Sequence, residues 1–324
     1  MATNESWNGG NMPKTAIVIC HFTGDIIKRC IKTLPKDTDN IVITSNENFT
    51  EDIRNLYTEV NEPTFKRNIG TDLTESDYIV FMDDDVELEP NCIKEMEEYL
   101  DSNKEIGMIY ATLYKMDNHS KLDTSGSYLS WCGFLNETYE THFRPVSVLA
   151  SKSALCMIKR DVFEKVGKFD EDFVIYGEET DLSWRVWLAG YQVKVLPRAI
   201  GYHAFETPLK PKSYYNTYYI HYHGCKNYLT MLVKNLPAHL LYIAFLNACI
   251  WFITACVMFF KNKTASKWIL EGIWYNVKEF SYIWQKRKRV IRTTPNIFRY
   301  IYRNPPLVYY FRRLKDYFVH ELHG

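Results

Sequence analysis

The chain has 324 residues, 46% hydrophobic and 15% aromatic, enough for one large domain with an appendage or for two domains. Lys+Arg and Asp+Glu balance at 39 each, but the sum hides a split: from Lys261 onward 14 basic residues face 4 acidic ones, which leaves the front acidic. The eight cysteines are scattered with no Cys-x-x-Cys pair, which excludes zinc ribbons and dithiol redox motifs and suits reduced, buried thiols in a cytosol-facing protein.

Residues 1–13 are polar and rich in Gly and Asn, without the apolar core of a secretory signal, and read as a disordered lead-in. Thr15–Cys20 is a β-branched apolar run, a buried strand. Residues 24–34 place Ile26, Ile27, Cys30, Ile31 and Leu34 on one helical face. Asn40–Thr44 reads as a second strand, 50–58 as a second helix and Tyr78–Met82 as a third strand. Pro90 opens a helix to about Ser102, proline being favoured in a first turn. Tyr110–Leu113 is a further strand, and 117–145 is polar and aromatic without periodicity. Leu155–Ile158 is a buried run, followed by a helix from Arg160 to Val166. A helix over 179–189 stops at Gly190, and Gln192–Leu196 is the last core strand. This alternation predicts an α/β fold with a mainly parallel sheet, whose ligands bind beyond the carboxyl ends of the strands.

From Tyr214 the character changes. Lys234 and Lys261 bracket 26 residues without Asp, Glu, Lys or Arg, and 237–260 is long enough to cross a bilayer. His239, Asn247 and Thr254 fall on one side of that helix, which suits a span facing protein or a helix lying in the interface. Lys286-Arg287-Lys288-Arg289 and Arg312-Arg313-Lys315 follow, among Trp268, Trp274 and Trp284. Basic residues beside an apolar helix place this region on the cytoplasmic face of a membrane. A basic helical subdomain packed on the front half is the other reading. The expected division is a lead-in at 1–13, a catalytic domain at 14–213 and a membrane-associating helical region at 214–324.

Two acidic clusters can carry chemistry. Asp83-Asp84-Asp85 ends the strand Tyr78–Met82, and Asp83 and Asp85 share a face if the backbone stays extended. Hard divalent cations take such oxygen ligands, with diphosphate oxygens filling the rest. The plain alternative is a solvated acidic turn before a helix. Glu178, Glu179 and Asp181 open the 179–189 helix, three carboxylates where one caps. Crowded like charges raise a pKa and tune a base toward neutrality, although acid-rich helix starts are common. His203 follows the last strand as a third metal ligand or a structural histidine. His221 and His223 read as an aromatic packing surface before a metal pair. No GxxxxGK[ST] or GxGxxG motif occurs.

The run from Val166 to Arg185, with Phe169-Asp170-Glu171-Asp172 and Gly177-Glu178-Glu179-Thr180-Asp181, then Ala189-Gly190-Tyr191 and Pro197 to His203, resembles glycosyltransferase family two, its rhamnosyltransferase-like members above all. The resemblance covers about residues 14–235. It implies a GT-A fold, Rossmann-like and mainly parallel, and an inverting transfer from a nucleotide-diphosphate sugar. It implies that Asp83, Asp84 and Asp85 face the donor diphosphate, with Asp83, Asp85 and His203 on Mn2+ or Mg2+. Glu179 matches the general base, with Glu178 and Asp181 positioning it or the acceptor. Asn68 and Gly70 resemble an Asn-x-Gly turn near the donor. The family's Val-Asp-Asn after the second strand is Thr44-Ser45-Asn46 here, so Ser45 stands where an aspartate reads the base. The expected partners are a UDP- or dTDP-sugar, a glycan or lipid-linked acceptor and a membrane surface, with no nucleic acid. Asp83-Asp84-Asp85-Val86 also fits a haloacid-dehalogenase-like phosphatase with Asp83 as nucleophile. A third reading is an inactive, membrane-tethered binding protein.

Overall fold

The computed structural model describes residues 13–22, 24–204, 218–293 and 303. Residues 1–12 of the 1–13 lead-in, the boundary at 213–214 and the Arg312-Arg313-Lys315 cluster lie outside the described residues.

Runs apolar on both faces become the middle of one sheet, because helices cover each side. β1 (Thr15–His21) lies between β2 (Asp39–Thr44) and β4 (Tyr78–Asp83), parallel to both, and β3 (Asn55–Tyr57) extends the edge beside β2. Beyond β4 come β11 (Leu155–Lys159), β6 (Ile106–Lys115), β12 (Gln192–His203) and the short β10 (Val146–Ser147). β11 and β10 run against their neighbours, and the other six strands of this path point one way. Their carboxyl ends, among them His21, Thr44, Asp83 and His203, therefore share one edge of the sheet.

Successive side chains alternate between two cores. Val18, Ile79 and Phe81 pack with Phe163, Phe173 and Trp184 of the elements on one face. Ile17, Ile19, Val80 and Met82 pack with Ile27, Met96 and Leu100 on the other. The first face carries α2 (Pro63–Asp72), α4 (Arg160–Lys165) and α5 (Glu178–Leu188), and the second carries α1 (Ile27–Lys32) and α3 (Cys92–Ser102).

The sequence expectation fails at 50–58, where the helix is replaced by an exposed loop and β3. Pairing with the free edge of β2 decides that segment, and the helix starts instead at Pro63, in the first turn. The stretch 117–145 is structured. β7 (Asn118–Thr124) pairs with β6, and β8 (Ser127–Leu129) with β9 (Leu135–Glu137) forms a separate ribbon.

The α-helices among the described residues after 218 are α6 (Gly224–Asn235), α7 (Tyr242–Phe259), α8 (Lys263–Lys278) and α9 (Phe280–Arg289). Met231, Leu232, Leu236, Ile243 and Ala244 belong to the same core as Phe173 and Trp184. The start of the rear region is thus part of the front half's core. Asn247 and Thr254 face protein, Asn247 donating to the Cys132 carbonyl at 2.9 Å, whereas His239 is exposed and leaves the expected stripe. His221 and His223 are buried against aromatic rings, in line with the packing reading. All eight cysteines are unpaired and six are buried.

Candidate active site

The first cluster is assembled by a tight reversal. β4 ends at Asp83, and after Asp84 and Asp85 the chain turns into β5 (Val86–Leu88), which pairs antiparallel with the end of β12. The register sets Val86 opposite His203, and the Ala204 N–H donates to the Asp85 carbonyl at 3.0 Å. β12 reaches His203 only because it continues past Pro197, where its register with β6 shifts. The ligand atoms of Asp83, Asp85 and His203 all lie within 4.8 Å of one another. Two carboxylates and an imidazole at that spacing fit a divalent cation.

Asp123, at the end of β7, takes the other side of the histidine. Its carboxylate is 2.8 Å from His203 Nδ1, while His203 Nε2 is 3.4 Å from Asp85 Oδ1. This is the outer hydrogen bond that orients a metal-binding imidazole. Burial opposes charge on His203, but Asp85 and Asp123 outweigh it and raise its pKa to about 9. Burial also pushes the Asp123 carboxyl up, and His203 and Lys152 hold it below its ordinary value.

The second cluster lies one guanidinium away. Arg67 of α2, buried, donates to Asp83 Oδ1 at 3.1 Å and to Glu178 Oε1 at 3.0 Å. A cation between two carboxylates holds both acidic groups at fixed spacing in a site that water screens poorly. Glu179, half-buried, stands beside Glu178 without that partner. Burial and the Glu178 charge push its pKa up to about 8. Glu179 lines a pocket of about 150 Å³ with Ser127, Leu135, Lys152, Tyr176 and Tyr228. Lys152 also bonds Asp123 at 2.9 Å, joining this pocket to the His203 side.

Four expected site residues take other roles. Asp84 is buried and turned back, accepting from His21 Nδ1 at 2.8 Å and from the Phe22 N–H at 3.2 Å, so it braces β1. Asp181 is fully buried under α6, bonded to Arg185 at 2.8 Å, Lys234 at 2.9 Å and Asn235 at 2.8 Å, and is saturated there. Asn68 and Gly70 form no turn. They sit within α2, where Asn68 bonds the Phe169 carbonyl at 3.0 Å and Glu171 at 2.9 Å. A Cβ on Gly70 would stand 2.3 Å from Val18 Cγ1, so the glycine allows α2 to approach β1. Ser45 lies just past β2 at the carboxyl edge, its hydroxyl 3.4 Å from the Val60 carbonyl.

Arg67, Asp123 and Lys152 were not legible as site residues. A basic pair, Lys66-Arg67, inside a helix that packs on the strand ends is the one sequence signal available for Arg67.

A sheet with these strand directions, a carboxylate–histidine cluster at its carboxyl edge and a second acid pair opening α5 fit a glycosyltransferase of the GT-A class. The family model for glycosyltransferase-like family 2 matches residues 37–247, and the chain belongs to that family. Polypeptide N-acetylgalactosaminyltransferase 3 of Taeniopygia guttata is 33% identical over 73 residues, 22% of this chain and 11% of the relative; the human protein is 32% identical over the same length. The chain thus spans about a tenth of the length of these curated relatives. Among solved structures, GalNAc-T7 with UDP, GalNAc and Mn2+ is similar in fold, with TM-score 0.51 and 14% identity over 84% of this chain and 58% of that one. Residues 1–349 of S. aureus TarS give TM-score 0.51 and 12% identity over 84% and 83% of the two chains.

Proposed function

We propose that the chain is an inverting glycosyltransferase that moves a sugar from a nucleotide-diphosphate donor to an acceptor hydroxyl. The observation that carries the reading is Arg67, which ties the cation-binding cluster to the acid pair that presents Glu179 to a pocket. Asp83, Asp85 and His203 would hold Mn2+ or Mg2+, which when bound supplies positive charge against a departing diphosphate. Ser45, just past β2 on the same sheet edge, would face the donor base. Glu179 takes the proton of the acceptor hydroxyl as the oxygen attacks the anomeric carbon. A carboxylate with pKa about 8 is matched to that task near neutral pH. Glu178, fixed by Arg67, keeps that pKa high. One displacement on the face opposite the leaving group inverts the anomeric configuration. A UDP- or dTDP-sugar is the proposed donor, UDP being present in the similar GalNAc-T7 fold. Membership of the transferase family sets the phosphatase alternative aside.

The acceptor is proposed to be a lipid-linked or surface glycan precursor at the cytoplasmic face of a membrane. One side of α7 is packed through Asn247, Trp251 and Met258, while Phe245, Phe252, Ile253 and Phe259 of the other side are exposed. Trp274 and Val277 of α8 add to the apolar surface, with Lys263 and Lys267 beside it. Only 33% of the apolar window at Ala238–Phe259 is buried. A helix packed along one side and apolar on the other suits a position in the bilayer interface, with lysines at headgroup level.

The test is hydrolysis of a panel of UDP-, dTDP- and GDP-sugars with Mn2+, Mg2+ or EDTA, alongside Asp85→Ala. Cation-dependent cleavage of one donor, lost in the variant, is the expected result. Product configuration by NMR then decides the mechanism, and a retained anomer would sink the single displacement. Tight donor binding without turnover under every acceptor condition would favour the inactive-binder reading.

A further inference from the structure

The chain enters the acid pair through backbone that side chains resist. Val174 has φ 56° and ψ −68°, and the Ile175 N–H donates to the Phe173 carbonyl at 2.5 Å. This is a γ-turn of the positive-φ kind, which is rare and strained, more so at a β-branched residue. Tyr176 at φ 69° and Gly177 at φ 82° follow in left-handed backbone. Such conformations persist only where the surroundings over-determine them, and they cluster at functional sites.

One side chain supplies most of that constraint. Asn227 of α6 is buried, with its amide nitrogen 2.7 Å from each of the carbonyl oxygens of Phe173, Ile175 and Tyr176. Its Oδ1 meets no partner among the described residues, so the group is placed for its donors. Lys226 donates to the Asp172 carbonyl, and Lys286 of α9 pairs with Asp170 and Asp172, which holds the segment just before the turn. Glu178 and Glu179 follow directly, and Tyr176 and Gly177 line the pocket that Glu179 faces.

We infer that Asn227 is a positioning residue. By sharing its two N–H donors among three carbonyls of the strained turn it fixes the first turn of α5 and so the aim of the Glu179 carboxylate. The identity of Glu179 as the base rests on the transferase reading above; the hold on the turn does not.

The test compares Asn227→Ala and Asn227→Asp with Thr230→Val, which removes a 2.9 Å bond from the same helix to Asn276 of α8. Thermal melting checks each fold, and Asn227→Ala, which adds no charge, decides where Asn227→Asp does not fold. Hydrogen exchange across 173–180 is expected to quicken in the Asn227 variants and not in Thr230→Val. In donor hydrolysis kcat is expected to fall on the order of 100-fold, the loss a misplacement of about 1 Å causes. KM for the nucleotide sugar stays unchanged, because Asp83, Asp85 and His203 are untouched. Unchanged exchange across the turn in a folded variant, or an equal kcat loss in Thr230→Val, overturns the inference. Wild-type protein that cleaves no nucleotide sugar overturns the transferase reading instead, and the exchange result still decides whether Asn227 holds the turn.

Discussion

Replacing Glu179 with Gln removes the proposed base and leaves its shape. With a pKa of about 8, roughly a tenth of Glu179 is ionised at pH 7. Wild-type kcat/KM should therefore climb about tenfold between pH 7 and pH 9 and then level off. Glu179→Gln should lose that limb and 10²- to 10⁴-fold in kcat, on the order expected for a general base, with donor binding by calorimetry unchanged. Stability should move the other way. The folded pKa lies above the ordinary carboxyl value of about 4.5, so the stability linked to this group is fully present below pH 4.5 and is lost as pH rises through 8. The interval corresponds to roughly 5 kcal/mol at most, and water reaching a half-buried carboxylate reduces it to a few kcal/mol. Glutamine carries no such loss. Thermal melts at pH 5 and pH 9 should show the variant gaining on the wild type only at the higher pH. A wild-type rate in Glu179→Gln, or a wild-type profile flat from pH 6 to 9, would refute the assignment of the base.

Arg67→Met leaves Asp83 and Glu178 facing each other without their cation. It should lower unfolding stability in urea by about 3 kcal/mol and move the alkaline limb to higher pH, since Arg67 holds the Glu179 pKa down. Asp123→Asn should weaken Mn2+ binding in the presence of UDP by about 10- to 100-fold, read by calorimetry; equal affinity would remove the Asp123–His203 pair from the cation site. Phe252→Asp with Ile253→Asp should abolish co-sedimentation with vesicles of phosphatidylcholine and phosphatidylserine at low salt. Retained sedimentation would move the proposed bilayer contact off α7.

What the sequence reveals and what it hides follow from the range of the forces involved. The strands β1, β2, β4 and β11 are legible because burial on both faces leaves an unbroken apolar run. The Asp83, Asp85, Glu178 and Glu179 carboxylates stand out because acids next to such runs are costly without a purpose. The roles of Asp84 and Asp181 were not legible, because their partners, His21 and Lys234, lie 63 and 53 residues away. The same distance hides Arg67, which meets Glu178 across 111 residues. β3 escapes because three half-exposed residues take their conformation from the edge of β2. Polar stretch 117–145 escapes because its hairpins pair with β6 and with each other, and pairing leaves no helical period to read.

The charge split that marks the rear region also misdirects. Lys286 and Arg287 belong to its most basic run, yet Lys286 pairs with Asp170 and Asp172 and Arg287 donates to the Val233 carbonyl at 2.7 Å. Those two charges are spent inside the protein, where Lys286 and Lys234 hold the Asp170 carboxyl far below its ordinary value against the effect of burial. Among the described residues of this region, Lys261, Lys263, Lys267, Lys278, Lys288 and Arg289 remain exposed, where they can attract an anionic surface. The same α6–α9 unit that carries the apolar surface thus grips the segment leading to Glu178 and Glu179 from behind. Truncation after residue 218 should accordingly abolish catalysis with detergent-soluble substrates as well as membrane binding, since it removes Asn227, Lys234 and Lys286 from the base of the site. A truncated protein that stays folded and cleaves its donor at the full rate would show that the rear helices do not support the site.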